Sequence, residues 1–518
     1  NRFLIGKGAA KNEEQLKEFN RTVVSLGEEL GIPVCATCDA HFLDPEEEIF
    51  RSILLASQGF EDADRPLPLY YRTTQEMLEE FSYLGEEKAF EVVVTNTNLV
   101  ANWCEQVVPL KKGMFPPEIP GADQELRDIT YQRARELYGE PVPEPVVKRL
   151  ERELEPIIGN GYAVMYIIAR RLVQESRRNG YLVGSRGSVG SSIAAYFAGI
   201  TEVNAMPPHY VCPSCFYTQF DDSGTYEAGC DMPDLVCPNC GAMCRKDGFD
   251  IPFETFMGFS GEKVPDIDLN FSGEYQTQAH KFAESLFAAG HVFRAGTIAT
   301  VAQKTAYGYV KKYLEERGRV VPRAEEERLI RGCTGIKRTT GQHPGGIMVV
   351  PAALDIEDFT PVQHPADDAS KEVVTTHFDY HAIHDNILKL DMLGHDDPTA
   401  LKMLGDLTGL DVTTLPLDDP EVLALFSGVE SLKLQEGEDV GKTGSIAIPE
   451  FGTGFVRGML EQTKPTTVGE LVRISGLSHG TDVWLGNAKD LIDQATPRRS
   501  SAPAPAPCAT PFAVATTS

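Results

Sequence analysis

Apolar residues recur every three or four positions in some stretches of this chain and alternate in others, and that change of period divides it into elements. Residues 12–31 read as an amphipathic helix that stops at Gly31. IPVCATCDAHFLDP, at 32–45, reads as a short strand with a loop. TTQEMLEEF at 73–81 is a capped helix start. Pro116, Pro117, Pro120, Pro141, Pro143 and Pro145 punctuate a looser region. The pattern over 146–179 is helical, with a break near Gly159 to Gly161. Short strands and loops dominate 181–275. Helical periods return at 276–288, 299–317 and 323–331. Two strands follow, GGIMVVP and NILKLDML, and then helical stretches at 396–408, 420–426 and 467–474. The final RRSSAPAPAPCATPFAVATTS has no apolar period, and its Pro/Ala/Ser/Thr composition predicts disorder. No internal repeat is visible.

A chain of 518 residues exceeds one hydrophobic core, and roughly three or four domains are expected. Its apolar fraction of 42% is ordinary for a globular protein. No apolar run reaches the roughly 18 residues needed to cross a bilayer, so no membrane partner is expected. The chain starts at Asn1 without a signal peptide, and reads as part of something longer. A formal charge of −28, taken as an average, argues against nucleic-acid binding. Basic residues nevertheless cluster: Arg170, Arg171, Arg177 and Arg178 share one helical stretch, and Lys311 with Lys312 and Lys337 with Arg338 form pairs. For any one such pair, solvated surface charge is the reading to be preferred. The 11 cysteines are an odd number for a disulfide framework, and six lie between 212 and 244. That distribution points to a reducing compartment and a metal site.

VPDIDLNFSG, at 264–273, sets Asp266 and Asp268 one residue apart in an otherwise apolar segment. On an extended strand they project from the same face. Carboxylates that close raise each other's pKa unless a cation lies between them. Mg²⁺ suits carboxylate oxygens together with substrate phosphates. Asp391, in the apolar strand ILKLDML, is the candidate third carboxylate, since an unpaired charge there is costly. Three such groups can hold two ions that clamp the attacking and leaving oxygens of a phosphoryl transfer. The bland alternative makes Asp266 a turn residue after Pro265 and Asp268 a surface residue. YLVGSRGSVGSS, at 181–192, runs from a strand through a Gly/Ser loop carrying Arg186 into a helical SSIAAYF. Backbone N–H groups of such a loop can cradle phosphates.

Cys212-x-x-Cys215 and Cys237-x-x-Cys240 are separated by 21 residues. Four thiolates at this spacing suit a structural, tetrahedral Zn²⁺. Cys230 and Cys244 are alternative ligands. A closed site of this kind would brace an insertion rather than catalyse.

Five stretches together carry a resemblance: VPDIDLNFSGEYQ, RAGTIATVAQKTAYGYVKKY, KRTTGQHPGGIMVVP, HDNILKLDMLGHDDPT and KPTTVGELVRISGLSHGTDVW. Over about residues 1–495 the chain resembles the PolC-type alpha subunits of bacterial DNA polymerase III, the C-family replicative polymerases. The order Gly/Ser loop, D-x-D, later strand Asp is also that of polymerase-beta-type palms. The resemblance implies an α/β and α+β multidomain chain. Its palm would have the polymerase-beta-like nucleotidyltransferase topology, with a zinc-ribbon insertion, a helical thumb, partial fingers and the end of a PHP domain. The implied boundaries are 1–60 for the PHP end, 61–204 for linker helices and first palm, and 205–250 for the zinc ribbon. The D-x-D strand then falls in 251–297, the thumb in 298–340, the second palm part in 341–400 and the fingers in 401–495. The tail is 496–518.

The same resemblance makes Asp266, Asp268 and Asp391 the ligands of two catalytic Mg²⁺. It sets Lys389 beside the reacting phosphates, although a strand-edge lysine explains it equally. Arg186, Gly187 and Ser188 would contact the triphosphate. Arg338 and His343 would lie near the nucleotide, with a turn-holding role as the alternative for His343. Arg473 and His479 would meet the nucleotide from the fingers, and Lys304, Lys311 and Lys312 would touch DNA phosphates from the thumb. Asp39 and His41 match the last metal-ligand pair of a PHP site. The implied function is template-directed DNA synthesis in chromosome replication. The implied partners are primer–template DNA, deoxynucleoside triphosphates, the sliding clamp and other replisome subunits, in the nucleoid-associated cytoplasm. At about Thr496 the chain departs from the family pattern and reads as a cut or frame-shifted end. Two alternatives stand beside this reading: a metal-dependent phosphoesterase acting through the PHP end, and a non-catalytic zinc-braced scaffold.

Overall fold

The computed structural model describes residues 2–108, 110–111, 113–258, 263–370, 373–384, 386–434, 441–480 and 483–495. The expected tail at 496–518 lies outside them. The chain forms two compact units, one of residues 1–112, 296–342 and 357–383, the other of 113–295, 343–356 and 384–518. Among the described residues there are ten strands. They are β1 (Gly184–Arg186), β2 (His209–Val211), β3 (Thr218–Phe220), β4 (Arg245–Asp247), β5 (Asp268–Ser272), β6 (Val292–Thr300), β7 (Lys337–Val349), β8 (Val362–Gln363), β9 (Thr375–Asp379) and β10 (Leu388–His395).

In the first unit the helix expected over 12–31 spans Glu13–Leu30. The Asn12 side chain accepts the Gln15 N–H at its start, and Gly31 ends it with φ of 66°, a conformation that costs glycine little. Thr73 and Glu76 form the expected capping box of helix Thr74–Glu80. Helix Gln303–Glu316 places Ala306, Val310, Tyr313 and Leu314 on one stripe, which packs with Ile53, Leu329 and Ile330 into a buried cluster.

Two expectations change here. Helix 299–317 begins only at Gln303, because the residues before it belong to β6. The Gly296 N–H donates to Thr376 Oγ1 and the Ile298 N–H to Asp379 Oδ2, each at 2.8 Å. Those partners on β9 hold the backbone extended. IPVCATC forms no strand, since its backbone meets helical segments instead. The Ala36 N–H donates to the Val92 carbonyl, and the Asn96 side chain donates to the Val34 carbonyl, each at 2.9 Å.

The second unit is built on helices Ala122–Tyr138, Glu144–Gly159 and Ala163–Arg178, the last with ten buried residues. They share one core with the apolar face of a mixed sheet ordered β1-β5-β10-β7. β5 and β10 run parallel, while β1 on β5 and β7 on β10 are antiparallel. Residues 205–250 contain a separate sheet ordered β3-β2-β4. Helices Gly454–Thr463 and Val468–Ser478 pack around Phe426, Met459, Leu460 and Trp484 in a further cluster. Among the described residues no helix is long and apolar enough to cross a membrane.

Candidate active site

Alternation on two adjacent strands explains why like charges stand side by side. Ile267, Leu269 and Phe271 are buried in the core, and so are Leu388, Leu390 and Met392. Asp266, Asp268 and Asn270 therefore share the opposite face, as do Lys389 and Asp391. The parallel register sets Asp268 beside Asp391, Arg186 on the far side of Asp268, and Gly346 on the far side of Asp391. Neighbouring strands lie about 4.8 Å apart, so the carboxylates meet. One oxygen from each of Asp266, Asp268 and Asp391 lies within 4.8 Å of the other two.

The electrostatics follow from that crowding. Burial pushes the Asp268 carboxyl up to about 6, helped by the charges of Asp266 and Asp391 and opposed by Lys389. The Lys389 ammonium donates to Asp391 Oδ2 at 2.7 Å, and both side chains are largely buried. Asp391 Oδ1 is buried with no hydrogen-bond partner. His343 Nδ1 lies 3.8 Å from it, but that nitrogen accepts the Gly346 N–H at 2.6 Å and so presents a lone pair, not a proton. His343 thus pins the turn of its own strand. Glycine is needed beside it: a Cβ at Gly345 would lie 2.7 Å from the Met392 carbonyl oxygen. Three crowded carboxylates with an unsatisfied buried oxygen suit a hard divalent cation such as Mg²⁺.

The Gly/Ser loop is a 3-10 turn, Gly187–Ser191, leaving the edge strand β1. Gly187 has φ of 74°, and a Cβ there would sit 3.9 Å from Asp268 Oδ2. Arg186 is exposed, and Ser188 accepts the Ser191 hydroxyl at its carbonyl.

The sulfurs of Cys212, Cys215, Cys237 and Cys240 also converge, all within 4.8 Å of one another. Cys212 and Cys240 are 3.3 Å apart and Cys215 and Cys237 3.5 Å, near the ~3.8 Å edge of a tetrahedral zinc–thiolate site. Burial pushes the Cys212 thiol up, but the N–H groups of Cys215 and Ser214 outweigh it, and the value falls to about 6. Cys237 is lowered likewise, its burial outweighed by the Cys240 and Asn239 N–H groups. At Cys215 and Cys240 the backbone N–H groups are instead outweighed by burial and the neighbouring sulfurs, which raise both thiols. The donor set fits Zn²⁺. Cys244 is buried beside Cys212 and Cys237, where burial pushes its thiol up to about 11. Among the described residues neither Cys230 nor Cys244 joins the four-sulfur group.

Other sequence candidates are engaged elsewhere. Arg473 ion-pairs with Glu227, and His479 Nδ1 meets the Ser475 carbonyl at 2.7 Å. Both belong to the second unit, as the aspartates do. Arg338, Lys304, Lys311 and Lys312 belong to the first unit. Arg338 and Lys304 are exposed, while Lys311 pairs with Glu326 at 2.8 Å and Lys312 with Glu316 at 3.7 Å. Asp39 and His41 contact each other at 3.2 Å, and among the described residues no third metal-ligating side chain joins them. In the arginine run, Arg171 pairs with Glu125, Arg177 with Glu202 and Arg178 with Glu175, while Arg170 donates to the Ala198 carbonyl at 2.6 Å.

The family model described as the bacterial DNA polymerase III alpha NTPase domain matches residues 124–326 and 315–394. The chain belongs to the bacterial DNA polymerase III alpha family. The finger-domain model of the same subunit matches residues 397–508. Proteins named DNA polymerase III PolC-type are 59% identical in Clostridium perfringens, 60% in Caldanaerobacter subterraneus and 57% in Bacillus subtilis. Each match covers 95% of this chain, and the chain spans only 34–35% of those relatives' length.

Two residues of this polymerase-family chain escape the sequence reading. Arg149 donates from Nη2 to the carbonyls of Ser191 and Ile251, each at 2.8 Å, and from Nε to Glu153 at 2.6 Å. Glu153, fully buried, accepts the Ser192 hydroxyl at 2.8 Å and the Ala194 N–H at 3.0 Å. Burial raises its pKa, opposed by Arg149. The pair anchors the exit of the Gly/Ser loop and the start of helix Ile193–Phe197. The available signal was a carboxylate lying on the apolar stripe of Val146, Leu150, Leu154 and Ile157, four residues after an arginine.

Proposed function

We propose that this chain carries the nucleotidyl-transfer centre of a template-directed DNA polymerase, in which a primer 3′-hydroxyl attacks the α-phosphate of a deoxynucleoside triphosphate and pyrophosphate leaves. The observation that carries the reading is the convergence of Asp266, two residues before β5, with Asp268 and Asp391 on the parallel strands β5 and β10, Asp391 Oδ1 being buried and unpaired. Two Mg²⁺ held there would lower the hydroxyl pKa and neutralise the leaving phosphates. The aspartates hold and orient these ions; their shared strand face fixes the spacing. Lys389 holds the Asp391 carboxylate in place through its hydrogen bond to Oδ2 and leaves positive charge beside the phosphates. Backbone N–H groups of the Gly/Ser loop, with Arg186 and Ser188, cradle the triphosphate, and Arg149 and Glu153 keep that loop in place.

The finer organisation is part of the proposal. The palm has polymerase-beta-like topology, and Cys212, Cys215, Cys237 and Cys240 hold a structural Zn²⁺. The thumb bears Lys304, Lys311 and Lys312 toward DNA phosphates, and Arg338, His343, Arg473 and His479 serve the nucleotide site. Residues 1–60 are the end of a PHP domain; the phosphoesterase alternative has less support, because Asp39 and His41 lack a third ligand among the described residues. Primer–template DNA and deoxynucleoside triphosphates are the substrates, the sliding clamp and replisome subunits the partners, and the nucleoid-associated cytoplasm the location. The test is primer extension in Mg²⁺, with Mn²⁺ binding followed by electron paramagnetic resonance. Asp391→Asn should abolish incorporation and weaken Mn²⁺ binding while thiol-bound metal is retained. Incorporation and Mn²⁺ affinity both unchanged in that variant would overturn the proposal.

A further inference from the structure

The cysteine-bearing insertion makes contacts that a free-standing metal knuckle does not need. Asp231 accepts the Val468 N–H on Oδ1 and the Gly469 N–H on Oδ2, both at 2.8 Å. These are the first two donors of helix Val468–Ser478, which an anionic carboxylate satisfies together with the helix dipole. The approach is close: a Cβ at Gly469 would lie 2.8 Å from Glu227 Cβ and 3.3 Å from Asp231 Oδ2. One turn further along, Arg473 ion-pairs with Glu227. Lys246 on β4, mostly buried, reaches Asp418 at 2.5 Å and Asp234 at 3.0 Å. Three charged side chains of the insertion, Glu227, Asp231 and Lys246, thus grip the segment that the finger-domain model matches.

The loop that carries Asp231 is framed by the thiol cluster. Met232 packs in one buried group with Cys212, Cys237 and Cys244. The Cys244 N–H donates to the Leu235 carbonyl at 2.9 Å, and the Tyr210 hydroxyl to the Pro233 carbonyl at 2.6 Å. Gly229 lies so tightly on β4 that a Cβ would fall 1.9 Å from the Asp247 carbonyl oxygen.

The geometry points to a coupling: the four-thiolate metal insertion is the clamp that sets the position of finger helix Val468–Ser478 through Asp231. Metal binding at the four sulfurs holds the Cys237 turn, that turn holds the 229–236 loop, and the loop delivers a carboxylate to the helix start. Asp231 is a positioning residue, with no direct part in phosphate chemistry. This inference depends on metal binding by the thiols and not on nucleotide transfer, so its failure is separable from failure of the polymerase reading.

The test is amide hydrogen exchange on the full chain, read at Val468 and Gly469 with helix Ala163–Arg178 as internal reference. Stripping the metal with a thiol-competing chelator should speed exchange at both amides by about tenfold or more, the worth of charge-assisted hydrogen bonds. Asp231→Ala should do the same while zinc content stays unchanged. Asp231→Asn, which keeps one acceptor, should restore part of the protection. Native exchange at Val468 and Gly469 in Asp231→Ala overturns the clamp, as does native exchange in metal-stripped protein whose reference helix stays protected. Where stripping exposes the reference helix as well, the Asp231→Ala arm alone decides.

Discussion

Replacing Asp268 with asparagine should destroy the metal site and stabilise the metal-free protein. The change keeps the side-chain shape and removes one of three crowded charges. In the folded chain the Asp268 carboxyl stands at about 6 against an ordinary 3.8, because burial and its two acidic neighbours disfavour the ionised form. A carboxyl whose folded pKa is raised contributes stability that is fully present below its unfolded value. That contribution is lost as pH rises through the folded one. Two units correspond to about 3 kcal/mol; with the group only half buried, solvent screening reduces this to about 1–2 kcal/mol. Metal-free wild type should therefore lose that much between about pH 4 and pH 6–7 on account of this one group, and the asparagine variant should not. The assay is native-state hydrogen exchange at Leu269 and Phe271, compared at pH 7.5 without added magnesium. Slower exchange in Asp268→Asn by about tenfold corresponds to the expected gain. Added Mg²⁺ should then protect wild type and leave the variant unchanged. A variant less stable than wild type without magnesium would refute the crowding argument.

Lys389→Met should push the Asp268 carboxyl higher still, since Lys389 is the charge that lowers it; a carbon-detected NMR titration reads the shift, and a downward shift contradicts the arrangement. Glu153→Ala leaves Arg149 and the loop donors without their buried acceptor, and should cost about 3 kcal/mol in urea unfolding followed at the second unit, with Glu153→Gln milder. Cys237→Ser should remove the thiol-bound metal, measured by metal content, whereas Cys230→Ser should leave it bound. Primer–template affinity should fall at least about tenfold between roughly 50 and 200 mM salt, as for any contact made through phosphates; a flat salt dependence argues against duplex binding by this chain.

Much of the site was legible because its chemistry lies in short spacings. C-x-x-C repeated 21 residues on specifies its own turns, since each pair brings two thiols and two backbone N–H groups to one point. Asp266 and Asp268 share a face by strand geometry alone. Asp391 was legible as a charge in an apolar strand and as the candidate third carboxylate, but the register that sets it level with Asp268 was not, since 122 residues separate the two along the chain. Arg149 and Glu153 show in the sequence as an i, i+4 pair with its carboxylate on the apolar stripe, but their partners at Ser191, Ser192, Ala194 and Ile251 appear only once the helix is packed. Arg473 reads as an available cation, yet it meets Glu227, 246 positions earlier in the chain.

By itself the sequence determined the periods of the helices, the alternation that separates Ile267, Leu269 and Phe271 from Asp266 and Asp268, and the paired thiol turns. These are local properties, set by which residues recur at 2.0 or 3.6 positions and by turn chemistry. Only the tertiary structure decided that β5 lies parallel to β10 with Asp268 level with Asp391, and that 299–300 is extended rather than helical. It alone decided that the carboxylate of Asp231 caps a helix more than 200 residues away. The reason is that hydrogen-bond partners on neighbouring strands, and charges buried against distant elements, contribute energies comparable to local propensity, while their identity depends on how the chain is folded and not on spacing along it.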